Sequence, residues 1–399
     1  MGNAKRWNER LVDGIFALFV FSIPVSQRLS AGIIVVLVLL TPFSGRMRSL
    51  REGLRSGWDL ILFFIVLTAG LIITTDQAQG LRVLETSLSL LGASLAIGFS
   101  SRHIGLKSMV FYPFSGGIAL VGVYCLFHAA YAYYSGGGVE VFFYERFTSP
   151  VDTQPTYLAY YIIFAITCGL YLLFHGQSGK VWLTAGIVSF LFFLLLLTGG
   201  QTTFVGLQLV LAFFLLKYML GERGGARTVT FVLALVMMTG VFVYTLVIRN
   251  EPEFTVLREQ NDFWERWVLW ESGFGAQQDI VFGVGTGDYN LVLNAYYRDH
   301  GLADFADRNT NAHNQYIQTL FMNGAIGMIS LLVMLARPLY LFARRGIPLG
   351  ILIMFPFVVY AITEVFLGRY QGVVFFGLLH QIAISFYYSG EPNFQRTTD

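Results

Sequence analysis

Long apolar stretches recur along the whole chain, and no other feature restricts its fold as much. Residues 33–40, 61–67, 188–197 and 231–247 are predominantly apolar runs inside stretches of roughly 17 to 25 residues, the length a helix needs to cross about 30 Å of hydrocarbon. The runs do not alternate, so they are not strands of a membrane barrel. Hydrophobic residues make up 55% of the chain and charged residues 13%, about half the charged share of a soluble domain. Most of the exterior must therefore face lipid. The expected fold is an all-α polytopic membrane protein with about twelve transmembrane helices, near residues 11–26, 29–43, 58–75, 81–99, 109–134, 157–175, 181–197, 202–220, 228–249, 314–337, 347–366 and 370–389.

The basic residues orient these helices. With a cytoplasmic N-terminus, the connections on that side collect Arg46, Arg48, Arg51 and Arg55; Arg102 and Lys107; Lys180; Lys217, Arg223 and Arg227; and Arg337, Arg344 and Arg345. With Lys5, Arg6, Arg10 and Arg396 these are 17 of the 26 basic residues, so both termini are expected in the cytoplasm. The other nine, Arg28, Arg82, Arg146, Arg249, Arg258, Arg266, Arg298, Arg308 and Arg369, are all arginine. An outer face with arginine and no lysine suits bidentate binding of carboxylate or phosphate. No small-residue cleavage signature follows the first apolar run, so the first helix is read as uncleaved. Cys125 and Cys168 lie in apolar stretches and read as packing residues, with no disulfide framework or Cys-rich metal site.

Two outer connections are long: about 20 residues between the fifth and sixth spans, and about 65 between the ninth and tenth. The second contains Phe254, Phe263, Trp264, Trp267, Trp270, Phe274, Tyr289, Tyr296 and Tyr297, too many aromatics for a disordered segment. Its stretch TVLREQNDFWERWVLWESGF reads as an amphipathic helix. Phe263, Trp267, Trp270 and Phe274 form a face suited to the lipid interface, while Glu259, Asp262 and Arg266 turn toward protein or water. GVGTGDY, residues 283–289, lacks the Gly-Lys-Ser/Thr of a phosphate loop and reads as a turn that permits close backbone approach. The expected division is helices one to nine with short loops over 1–249, an outer loop with amphipathic helices over 250–312, and helices ten to twelve with a short tail over 313–399.

RNTNAHNQYIQTLFMNGAIG, residues 308–327, places His313 directly before a helical stripe of Tyr316, Ile317, Leu320, Gly324 and Gly327. The two glycines are expected to allow close helix packing, and Asn311 or Thr310 to cap the helix. The positive end of the helix dipole favours a neutral, proton-accepting imidazole there. By position alone such a histidine reads as an ordinary boundary residue. No second histidine sits three or four residues on, so metal binding is the weaker competitor. Glu85 and Glu364, the main acids in or beside spans, are expected to pair with Arg82 and Arg369.

The stretch from Asn311 to Gly327 resembles the His-Asn/Ser, aromatic, Leu, Gly-x-x-Gly signature of the O-antigen ligase and O-antigen polymerase superfamily. Three further features agree in order. ERFTSPVDTQPTYLAY, residues 145–160, resembles the family's Arg, Pro-Asn, Ala-Tyr approach to a mid-chain helix, with Arg146 at the arginine. LLTGGQTTF, residues 196–204, stands at the Thr-Gly-Ser-Arg-Gly position, where Gln201 replaces a common arginine and removes a charge. Arg266-Trp-Val-Leu-Trp and the later glycine turn match the family's order before the histidine.

The resemblance implies a GT-C-type glycosyltransferase architecture with a large periplasmic loop, in the bacterial inner membrane, with the active site on the periplasmic side. It implies a ligase moving a glycan from an undecaprenyl pyrophosphate-linked donor to a lipid A-core acceptor, with membrane lipid around it, no nucleic acid, and a monomeric state. His313 would be the base and Arg266 the stabiliser of the leaving pyrophosphate; Arg146, Gln201, Arg249, Arg369, Asn314 and Tyr316 would bind substrate. A single displacement predicts inversion. The outer loops carry no Asp-x-Asp, so no metal and no cofactor is expected. An O-antigen polymerase is the first alternative and a transporter or flippase of anionic lipid-linked sugars the second; the latter should show inverted repeats and midplane charges.

Overall fold

The computed structural model describes residues 2–44, 49–98, 104–221, 223–250, 263–345 and 348–389. Its main helices are α1 (Gly2–Val25), α2 (Gln27–Leu40), α3 (Leu50–Ala69), α4 (Gln77–Ala93), α5 (Tyr112–Tyr134), α6 (Tyr144–Thr148), α7 (Pro155–Phe174), α8 (Val181–Thr198), α9 (Gln201–Met219), α10 (Gly225–Asn250), α11 (Phe263–Gly275), α12 (Tyr289–Asp299), α13 (Ala303–Asp307), α14 (Gln315–Arg345), α15 (Pro348–Tyr360) and α16 (Tyr370–Ser389). No strand occurs among the described residues.

All twelve apolar stretches are helical, but eight helices among the described residues are long and apolar enough to cross a membrane. Two more, Gln27–Phe43 and Pro348–Tyr360, are apolar but shorter. α16 carries Gln371, His380 and Gln381, and α1 carries Lys5, Arg6, Glu9, Arg10 and Asp13, which dilute their apolarity. The result is an all-helical polytopic membrane architecture.

The chain falls into two compact units, each drawn from separated stretches of sequence. The first comprises residues 1–37, 103–261 and 389–399, and the second residues 38–102 and 262–388. In the first unit α7 is the most enclosed helix: every residue from Tyr157 to Phe174 is buried. Gly169 lets α7 approach Val188 of α8, where a Cβ would collide.

In the second unit α3 packs on both α4 and α14. Between α3, α14 and α16 lies a charge group whose carboxylate and imidazole are fully buried. Asp59 Oδ1 is 2.5 Å from Arg337 NH1, and Asp59 Oδ2 accepts from His380 Nε2 at 2.7 Å. Arg337 also donates to the carbonyls of Ser56 at 3.2 Å and Arg55 at 2.5 Å. Asp59 and His380 are 0% exposed, so the Asp59 carboxylate is met by hydrogen bonds rather than by water.

α14 is not continuous. Asn323 and Gly324 leave helical geometry, with Gly324 at φ +61°. The expected packing role of Gly324 is corrected accordingly: it breaks the helix so that the glycine turn can dock. Val284 N donates to Phe321 O and Gly285 N to Met322 O, each at 3.0 Å, and Ala325 N donates to Ile280 O at 2.8 Å. These bonds satisfy backbone groups that a broken helix would otherwise leave unpaired. A Cβ at Gly324 would collide with the Val281 carbonyl. The same turn reaches back to the α3–α4 connection, where Asp288 accepts from Thr75 N at 2.7 Å, Thr75 Oγ1 at 2.9 Å and Asp76 N at 2.7 Å. Burial pushes the Asp288 carboxyl up, but these three donors outweigh it and hold it below its ordinary value.

The described part of the long connection is folded, as its aromatic content predicts. Leu269, Ala276, Leu293, Tyr297 and Ala306 form a core with Phe321 of α14, so this small helical cap is seated on the helix that follows it. Trp264, Trp267 and Phe274 remain exposed. Residues 251–262, including Glu259, Asp262 and Arg258, lie outside the described residues.

Candidate functional site

Two asparagines shape the backbone that presents His313. Asn311 Oδ1 accepts from His313 N at 2.9 Å, a local side-chain turn, and Asn314 Oδ1 accepts from Tyr316 N at 2.9 Å and Ile317 N at 3.0 Å. Asn314 is thus the cap of α14, in place of the expected Asn311 or Thr310. Between them His313 is held at φ +42°, which costs a residue with a side chain about 1 kcal/mol or more. Such strain persists only where surrounding bonds impose it.

Those bonds come from both sides. Gln315 N donates to Ala361 O at 2.8 Å, Gln315 Oε1 accepts from Leu367 N at 2.8 Å, and Tyr316 donates its hydroxyl to Val358 O at 3.0 Å. The segment joining α15 to α16 is thereby fixed against the start of α14. This brings Glu364 to His313: its Oε2 lies 3.6 Å from Nδ1, and its Oε1 lies 3.4 Å from Arg266 NH2. Arg266 also donates to the Thr363 carbonyl. His313 is 38% exposed, while Glu364 and Arg266 are 16% and 19% exposed. One imidazole therefore faces open space, backed by a half-buried carboxylate and guanidinium.

The expected pairing of Glu364 with Arg369 is replaced by this arrangement. Arg369 is exposed and makes no ion pair among the described residues. Glu85 and Arg82 are likewise both exposed, with no ion pair between them. Sequence reasoning missed the role of Glu364 because its partners are 98 and 51 positions away, while Arg369 is only five away.

The chemistry this group supports is proton acceptance. A carboxylate beside Nδ1 favours the tautomer with the proton on that nitrogen and leaves Nε2 with a free lone pair. A separation of 3.6 Å is longer than a hydrogen bond, and such contacts commonly tighten only when substrate is bound. Arg266 retains donors beyond those it gives to Thr363 and Glu364, because a guanidinium has five.

The other candidates divide by location. Asn314 and Tyr316 sit beside His313, where Asn314 Oδ1 and the Tyr316 hydroxyl bond to backbone groups. Arg146 belongs to the first unit, where its NH1 lies 2.6 Å from Glu140 Oε1 on an exposed surface. Gln201 opens α9 and Arg249 is near the end of α10, also in the first unit, and their side chains lie outside the described residues.

Residues 186–332 match a family model described as O-Antigen ligase. The matched segment includes Gln201, Arg249, Arg266, Asn314, Tyr316 and His313; Arg146, Glu364 and Arg369 lie outside it. No curated protein matches the chain. The match supports the O-antigen ligase/polymerase superfamily and, with the apolar helices, a ligase- or polymerase-like membrane enzyme acting on lipid-linked glycan.

Proposed function

We propose that this protein is a metal-independent, inverting glycosyltransferase of GT-C type that ligates O-antigen polysaccharide from undecaprenyl pyrophosphate onto lipid A-core. The observation that carries the reading is the grouping of His313, Glu364 and Arg266 within the second unit, with two of the three inside the matched segment. The site faces the periplasm of a monomer in the inner membrane, with both termini cytoplasmic.

In the reaction the acceptor hydroxyl oxygen attacks the anomeric carbon, the bond from that carbon to the pyrophosphate oxygen breaks, and the hydroxyl proton passes to Nε2 of His313. A neutral base in reach of the hydroxyl contributes roughly a hundredfold or more. Glu364 then stabilises the imidazolium as it forms. Arg266 meets the charge growing on the leaving pyrophosphate through charge-assisted hydrogen bonds. Arg369, the substrate-binding candidate in the same unit as His313, is assigned to binding donor phosphate. One displacement without a covalent intermediate inverts the anomeric centre.

The test is transfer from lipid-linked glycan to lipopolysaccharide core by the purified protein, with His313→Ala and Arg266→Ala beside the wild type. Both variants should lose about a hundredfold or more in rate while remaining folded. Wild-type rates in either folded variant reject the mechanism. Extension of the lipid-linked glycan without ligation identifies a polymerase instead. Excess chelator should leave the rate unchanged; abolition with rescue by magnesium rejects metal independence.

A further inference from the structure

The second unit contains a cavity of about 120 Å³ between α3, α4, α12, the first half of α14 and the turn before α16. Arg82, Gln79 and Thr86 line it from α4, and Gln318 and Asn323 from α14. Its wall contains one guanidinium, several amides and hydroxyls, and no carboxylate. Arg82 has no ion pair among the described residues. Gln318 and Asn323 are 2% and 4% exposed, and their side-chain oxygens, Oε1 and Oδ1, accept no hydrogen bond. Buried polar oxygens are seldom left unpaired in folded proteins, and these two mark where hydroxyl donors are missing.

The cavity adjoins the proposed catalytic group by chain connection. Its lining residue Gln315 is two positions after His313, and Val365 directly follows Glu364. Two residues span at most about 7 Å, so the part of the wall formed by Gln315 lies close to His313.

We propose that this cavity is a specificity pocket for a sugar carrying a negatively charged substituent, either a carboxylate or a phosphate, with Arg82 binding the charge and the amides meeting the hydroxyls. The inference rests on the transferase reading for its role but not for its binding chemistry. One charge-assisted contact gives about tenfold preference or more.

The test uses the full chain in lipid nanodiscs, as wild type, Arg82→Ala and Arg82→Lys. Binding of glucuronic acid, glucose 6-phosphate and glucose is followed by isothermal titration. The wild type should bind at least one acidic sugar about tenfold or more tighter than glucose, Arg82→Ala should lose that preference, and Arg82→Lys should keep part of it. Transfer assays with an acidic sugar placed on the donor in one arm and on the acceptor in another then identify which glycan enters. Equal binding of acidic and neutral sugars by the wild type, or an unaltered preference in Arg82→Ala, overturns the pocket. Arg82-dependent binding in a protein that transfers nothing retains the pocket and rejects the transferase reading.

Discussion

Two groups in the second unit each combine a histidine, a carboxylate and an arginine. His313, Glu364 and Arg266 lie at the start of α14; Arg337, which pairs with Asp59 beside His380, lies toward its other end, beyond the break at Asn323 and Gly324. In the first, separations are 3.4 and 3.6 Å and the imidazole is partly exposed. In the second they are 2.5 and 2.7 Å, with the carboxylate and imidazole sealed. Residue type therefore does not distinguish a chemical group from a clamp. Spacing and access do: a base must be reachable and free to rearrange, whereas a buried carboxylate that loses a partner has no water to replace it.

The comparison is broken most directly at Asp59. Asp59→Ala should destabilise the protein by about 3–5 kcal/mol, because Arg337 and His380 lose their common acceptor away from water. Denaturant unfolding in detergent measures this, and a wild-type midpoint would mean that the two groups do not differ in kind. Next in size is Gly324→Ala. It places a side chain at positive φ against the Val281 carbonyl, costing about 1–3 kcal/mol, and should raise amide exchange across residues 280–287 with little change around Asp59. Uniform exchange in both regions would show that the helix break does not hold the glycine turn.

Glu364→Gln should leave the unfolding midpoint within about 1 kcal/mol of wild type, as for a partly exposed pair, yet lower transfer by about tenfold, the worth of one charge-assisted contact. A loss of stability without loss of rate would place Glu364 with the clamp instead. The smallest effect is expected at Asp288. Its folded-state carboxyl titrates below its ordinary 3.8, so its contribution is present above that pH and fades as pH falls through the lower, folded value. Asp288→Asn should remove this part of the acid dependence of the melting temperature below the carboxyl's ordinary 3.8; an unchanged acid limb would show that other carboxylates govern it.

Apolar length and continuity made the helices legible, since each needs only neighbours in sequence. Aromatic content likewise identified the folded connection before α14, and the run of polar residues before Tyr316 placed His313 at a helix start. Contacts across long separations were not legible. Asp59 stands at the edge of an apolar stretch, 278 positions from Arg337 and 321 from His380, with no local mark of either. Glu364 was matched to the nearest arginine because sequence proximity is the only distance a sequence offers. Gly324 looked like a packing glycine, because nothing local distinguishes a close neighbouring helix from a loop inserted into the helix itself.

The separation of Asp59 from its partners also sets an order of assembly. At roughly 5–20 residues per second, the 278 positions between Asp59 and Arg337 take about 15 to 60 s to synthesise. Throughout that interval α3 exists without either side chain that later neutralises its aspartate, and residues 103–261 of the first unit are made before they arrive. The clamp is consequently a late checkpoint in biogenesis: α3 reaches its final seating only when the C-terminal helices have entered the membrane and reached back to it.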